Sequence, residues 1–138
     1  MSYIDPEWIE NEQIKGDLLA SDFDIEDCQR VTDNEIELRC LMTSPSIGVD
    51  DIPVHETTGY TTSPILMKYG RLYLTFVIAR ALRQAGSNNS QNDVYDGIMT
   101  DYYKEAMDVA NLITYELVLN IDKDPVSKQA FMKVVPLY

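Results

Sequence analysis

Few residues in this 138-residue chain suit covalent or metal chemistry: it has one histidine, two cysteines and one tryptophan. Cys28 and Cys40 cannot supply a disulfide framework or a four-ligand zinc site, so a reducing, intracellular setting is expected. Long apolar runs are missing as well. In the most apolar segment the longest uncharged stretch is eight residues, Leu72 to Ala79, closed by Arg71 and Arg80. A membrane-spanning helix needs about 20, so no membrane partner is expected. The opening residues, Met1 to Asp5, carry no basic n-region and no apolar h-region, which argues against a secretory signal. Neither a Gly-x-x-x-x-Gly-Lys phosphate loop nor a Gly-x-Gly-x-x-Gly fingerprint occurs, and no cofactor is expected. Asn88-Asn89-Ser90 matches a glycosylation sequon, which carries no weight without secretion.

What is present is an ordinary globular composition, 45% apolar and 9% aromatic, in a length that suits one domain. Positive charge is scarce, with 23 acids against 11 bases and a formal charge of -12. The imbalance is local. Residues 1–62 hold 15 acids and three bases, Lys15, Arg30 and Arg39, whereas residues 63–138 hold eight of each. Such a surface repels phosphate backbones, so no specific nucleic-acid binding is expected. A solvated acidic surface is the commoner reading, and a docking face for a basic partner the sharper one.

Asp5-Pro6-Glu7 reads as a helix start, with Trp8, Ile9, Ile14, Leu18 and Leu19 as its partial apolar stripe. Thr32-Asp33-Asn34-Glu35 fits a capping box for a second helix, in which Ile36, Cys40 and Leu41 share one face. Ser44-Pro45 ends it near Thr43. Residues 44–62, with Pro45, Gly48, Pro53 and Gly59, form a long connection of the kind that is functional, disordered or ordered by a neighbour. Ser63 as cap and Pro64 in the first turn open the clearest helix, apolar to Leu82 and ended by Gly86. Its apolar residues cover more than one face, as in a helix packed on several sides or against another subunit. After the polar break 86–92, Asp93 can cap a last long helix through Ile113. Residues 114–119 alternate in a way that fits either a helix end or a strand.

Candidate chemistry is thin. His55, beside Glu56, has no Ser or Cys motif with it and reads as an exposed loop residue. Asp22 to Asp27 suggests a calcium loop, but Asp27 stands where glycine is required and Asp33 where a bidentate Glu is required. Cys28, Cys40 and His55 lack metal-ligand spacing, so no metal or catalytic residue is assigned. Lys68 with Arg71 and Arg80 with Arg83 form two basic spots on the central helix, suited to pairing with N-terminal carboxylates of the same or an adjacent subunit. Tyr69, Tyr73, Tyr95 and Tyr102 fall at core-like spacing.

The run from Ser63 to Arg80, SPILMKYGRLYLTFVIAR, resembles the central helix of tailed-bacteriophage head–tail connector (adaptor) proteins, where a proline-initiated helix follows an irregular loop. The element order over residues 3–113 is similar too, including a later helix around Tyr102-Tyr103-Lys104-Glu105-Ala106. The resemblance implies a homo-oligomeric, dodecameric ring beneath the portal protein, contacting a tail or stopper protein, in the virion neck after assembly in the host cytoplasm. Residues 121–138 fit no part of that pattern.

The expected fold is therefore mainly α, a small helical bundle around a long central helix. A connector-like domain, 1–120, carries the long loop 44–62, and 121–138 is an extended C-terminal interaction tail. The expected function is that of a structural, non-enzymatic subunit. Its interface is expected at Ile47, Val49, Ile52, Val54 and Tyr60 of the loop and at Lys68, Arg71, Arg80 and Arg83 of the helix. Phe131, Met132, Val134, Val135, Leu137 and Tyr138 of the tail complete it, with Val134-Val135 able to add a strand to a neighbour's sheet. The alternative is an acidic soluble regulator or DNA mimic that binds a basic protein.

Overall fold

The computed structural model describes residues 1–20, 23–86 and 92–121. Helices dominate: α1 (Glu12–Ala20), α2 (Glu26–Leu41), α3 (Pro64–Ala85), α4 (Asn92–Ala110) and α5 (Tyr115–Leu119), with 3-10 turns at Pro6–Trp8 and Val49–Asp51. No strand is found among the described residues, where the one ladder contact is an isolated antiparallel bridge between Val54 and Thr61.

The central helix α3 is fixed by its ends. Pro64 sits in the first turn, and the Gly86 N–H donates to the Leu82 carbonyl at the close. Ser63 precedes it in extended geometry, but its hydroxyl makes no cap bond and, among the described residues, is buried without a partner. Ten of its 22 residues are buried, on several sides, because α4, α2, α5 and the N-terminal turn all pack on it. The apolar excess of α3 is thus covered within one chain.

Several local expectations are corrected. Thr32-Asp33-Asn34-Glu35 lies inside α2, where the Thr32 hydroxyl donates to the Cys28 carbonyl one turn back. The helix starts earlier, where the Asp24 carboxylate accepts from the Glu26 N–H. Residues 6–20 are not one helix: Asp5 caps a single 3-10 turn, and Asn11 caps a separate α1 by accepting from the Ile14 N–H. Leu19 points to solvent. Asp93 lies within the first turn of α4 instead of before it. The 114–119 segment resolves as helix, capped by the Thr114 hydroxyl and closed by Asn120 at φ 54°.

The connection 44–62 is ordered by its own chain. Ile47 and Ile52 are buried in the core, and the Ile47 N–H donates to the Cys40 carbonyl. Residues 53–62 double back through His55 N–H to Tyr60 O (2.7 Å) and Thr62 N–H to Pro53 O (3.1 Å), with Gly59 at φ 79° making the turn. The N-terminal residues then strap this connection to α2. Thr61 N–H donates to the Tyr3 carbonyl (2.7 Å), Ser2 Oγ and Tyr3 N–H both donate to Asp33 Oδ1, and the Tyr3 hydroxyl donates to Glu37 (2.7 Å). Ile4 follows the strap into the core, fully buried between α2 and α3. That approach explains a glycine in mid-helix: a Cβ on Gly70 would lie 2.2 Å from Ile4 Cδ1 and 2.4 Å from Ile4 Cγ1.

Candidate interaction surfaces

The expected interface residues separate into three groups once placed. Ile47 and Ile52 are consumed by the protomer's own core, so their side chains are not offered to a partner. Val49 and Val54 stand exposed on the connection, and Tyr60 is half-buried. The tail residues Phe131, Met132, Val134, Val135, Leu137 and Tyr138 lie outside the described residues.

The four bases of α3 do not act together. Arg71 pairs with Glu10 of the N-terminal segment (2.9 Å), the pairing with N-terminal carboxylates that the charge distribution suggests. Arg83 pairs with Asp96 of α4 (2.9 Å). Arg80 places its guanidinium 5.2 Å from the Phe76 ring centroid. Lys68 and Arg71 line an open groove of about 690 Å³ between the N-terminal turn and the start of α3. Trp8 lines it too and meets Tyr60 edge-on at 5.7 Å, so Tyr60, Lys68 and Arg71 are brought to one neighbourhood by a residue that the sequence reading placed only on a helix stripe. Glu7, Glu10 and Glu12 share the groove with Lys15, leaving it mixed in sign.

Beneath the surface lies a polar cluster. Glu35 accepts from Arg39 Nε (2.8 Å) and from the Tyr69 hydroxyl, while Arg39 also reaches Met107 Sδ (3.5 Å). Burial and the Glu35 hydrogen bond push the Tyr69 phenol far above its ordinary range. Burial, aided by the nearby Asp27 charge for Cys28 and the Glu37 charge for Cys40, raises both thiols to about 11. At neutral pH they are packed thiols and poor nucleophiles. His55 is exposed, with Nδ1 accepting from the Thr57 N–H (3.3 Å). Among the described residues, no group of three His, Cys, Asp or Glu side chains converges as a metal site would, and no helix is long and apolar enough to cross a membrane.

The sequence reading missed a second apolar series on α2. Cys28, Thr32, Ile36 and Cys40 face the core at four-residue spacing. Val31, Leu38, Leu41 and Met42 instead face outward, 37%, 50%, 52% and 65% exposed. Leu41, expected beside Ile36 and Cys40, is on the other side. The signal was present, because the i, i+7 pair Val31–Leu38 lies across the helix from Ile36 and Cys40. Leu112, Leu117 and Ile121 are exposed around the α4–α5 junction. Comparison of the chain with protein-family models, curated proteins and solved structures finds no match.

Proposed function

We propose that this chain is a non-catalytic assembly subunit, a head–tail connector that oligomerises into a ring joining a portal to tail parts in a virion neck. The observation that carries the assembly reading is apolar surface outside a core that is already closed. It lies on three elements: the outer face of α2, Val49 and Val54 of the connection, and Leu112, Leu117 and Ile121 around α5. A ring subunit meets its two neighbours through two different surfaces; the connection and the α5 junction can serve both, leaving the outer face of α2 for a different component. The connector assignment adds the resemblance of residues 63–80 and the element order over residues 3–113. The strapped connection 44–62 supports a geometric mechanism, because a fixed surface holds its partner in one orientation without a chemical step.

The test is light scattering after size-exclusion chromatography of the full chain, alone over a wide concentration range and mixed with a portal ring. A ring, or a monomer that joins the portal ring in a defined ratio, is expected. A chain that stays monomeric and never migrates with portal protein refutes the proposal. A monomer that instead binds basic proteins, and releases them on adding salt, supports the acidic-regulator reading.

A further inference from the structure

The outward face of α2 is amphipathic in its own right. Val31, Leu38 and Leu41, with Asn34 between them, follow seven- and three-residue spacing, so they form one seam, and Met42 widens its C-terminal end. Over 11 residues at about 1.5 Å each, the seam runs roughly 16 Å, the contact length of about three helical turns. The alternation of three- and four-residue steps is the pattern that accepts a second helix at a shallow crossing angle. At the Met42 end it meets a cleft of about 180 Å³ lined by Arg39, Thr43, Ala110 and Ile113, large enough for one anchoring side chain.

The charges around the seam decide what kind of helix fits. Asp27 lies in line with it at the N-terminal end and Glu26 beside it, both exposed, while Asp33 and Glu37 on the same edge also hold the strap through Ser2 and Tyr3. The one base on that edge, Arg30, is already paired with Asp27. A second copy placed there face to face would bring two N-terminal halves together, each with an excess of 12 negative charges over residues 1–62. Among the described residues, the bases of a second copy are concentrated on α3, where Arg71 and Arg83 are ion-paired within their own chain and Arg80 packs on Phe76. We propose that the α2 seam docks an amphipathic helix of another protein that carries Lys or Arg beside its apolar stripe. This is helix-on-helix recognition, with apolar anchors for affinity and the carboxylate edge for orientation and selection. The inference goes beyond the connector reading: ring contacts would use the connection and the α5 junction, and the α2 face would take a different protein.

The probe is a synthetic amphipathic helix of leucine and lysine, with a leucine–glutamate helix of the same pattern as its counterpart. Binding to the full chain is followed by fluorescence anisotropy of the labelled peptide. The comparison protein is the Leu38→Ser/Leu41→Ser double variant, which leaves the net charge unchanged; both sites are exposed, so its helical circular dichroism is expected to match the parent. The cationic helix should bind the parent, lose at least tenfold in affinity for the double variant, and weaken with salt, while the anionic helix should not bind. Three results overturn the inference: no binding, equal binding by parent and double variant, or an oligomer of the parent that the double variant abolishes. The second means charge alone attracts the peptide, and the third assigns the seam to a second copy.

Discussion

Replacing Gly70 with alanine should destabilise this protein, although the rules for an isolated helix predict the opposite. Alanine in a helix interior is favoured over glycine by about 1 kcal/mol. Against that gain stands the overlap of the new methyl with two atoms of Ile4, at 2.2 and 2.4 Å, and with Ile36 Cδ1 at 3.0 Å. Swinging the terminal methyl of Ile4 aside does not clear Cγ1, and Ile4 is fully buried. Relief therefore requires a new χ1 or a displaced strap. Overpacking of this kind costs about 1–3 kcal/mol, and two contacts this short place it near the upper end. The net loss should be about 2 kcal/mol, or roughly 6–10 °C in Tm for a domain of this size.

The assay is urea unfolding, followed by circular dichroism, of four proteins: the parent, Gly70→Ala, Ile4→Ala and the double variant. Ile4→Ala alone should lose about 2–5 kcal/mol, as buried isoleucine truncations do. The double variant should be no less stable than Ile4→Ala, since the methyl then enters the vacated space and the helix-propensity gain returns. The pair must therefore be non-additive by about 2–3 kcal/mol. A Gly70→Ala protein as stable as the parent, or additivity within about 0.5 kcal/mol, would refute the strap packing.

Three further outcomes follow from the polar and thiol groups. Glu35→Ala strands the Arg39 guanidinium and the Tyr69 hydroxyl in a poorly solvated site and should cost about 2–4 kcal/mol in urea unfolding, whereas Glu10→Ala at the exposed Arg71 pair should cost under about 1 kcal/mol. Iodoacetamide at pH 8 should label Cys28 and Cys40 at least tenfold more slowly in the native protein than after unfolding, because burial holds both thiols near 11; equal rates would contradict their placement. Burial and a hydrogen bond to Asp17 raise Tyr95 to about 12. Its neutral form is favoured in the folded state, so that contribution is complete below pH 10 and is lost as pH rises from 10 toward 12; Tyr95→Phe should flatten this part of the stability–pH curve, read from thermal melts.

The helical class and the reach of α3 were legible because a proline start, a glycine stop and apolar density speak through local chemistry. The packing roles of Tyr69 and Tyr95 were legible from spacing, and both are buried. Where the reading missed, a distant partner decided. Thr32 and Glu35 satisfy a capping box in isolation, but Glu35 is held by Arg39 and Tyr69, and the helix runs back to Glu26. Ile47 and Ile52 look like loop hydrophobes awaiting a neighbour, and the strap from residues 1–4 is what allows the connection to fold onto the core. No local pattern reveals that Ile4 meets Gly70 across 66 positions. The outer seam of α2 was hidden by the inner one, because hydrophobic residues on two faces of one helix read as a single broad stripe.

The strap also makes residues 1–4 dependent on chain far downstream. Tyr3 cannot receive the Thr61 hydrogen bond, nor Ile4 its place over Gly70, until the first 70 residues are all available. Closing a loop of that size carries an entropic cost that grows only slowly with length, so the penalty is modest, but the order of events is constrained. Residues 3 and 4 lock only once residues 61 and 70 are in place. In the finished molecule the amide proton of Thr61 is correspondingly a reporter: its exchange with deuterium measures how often the first three residues lift away.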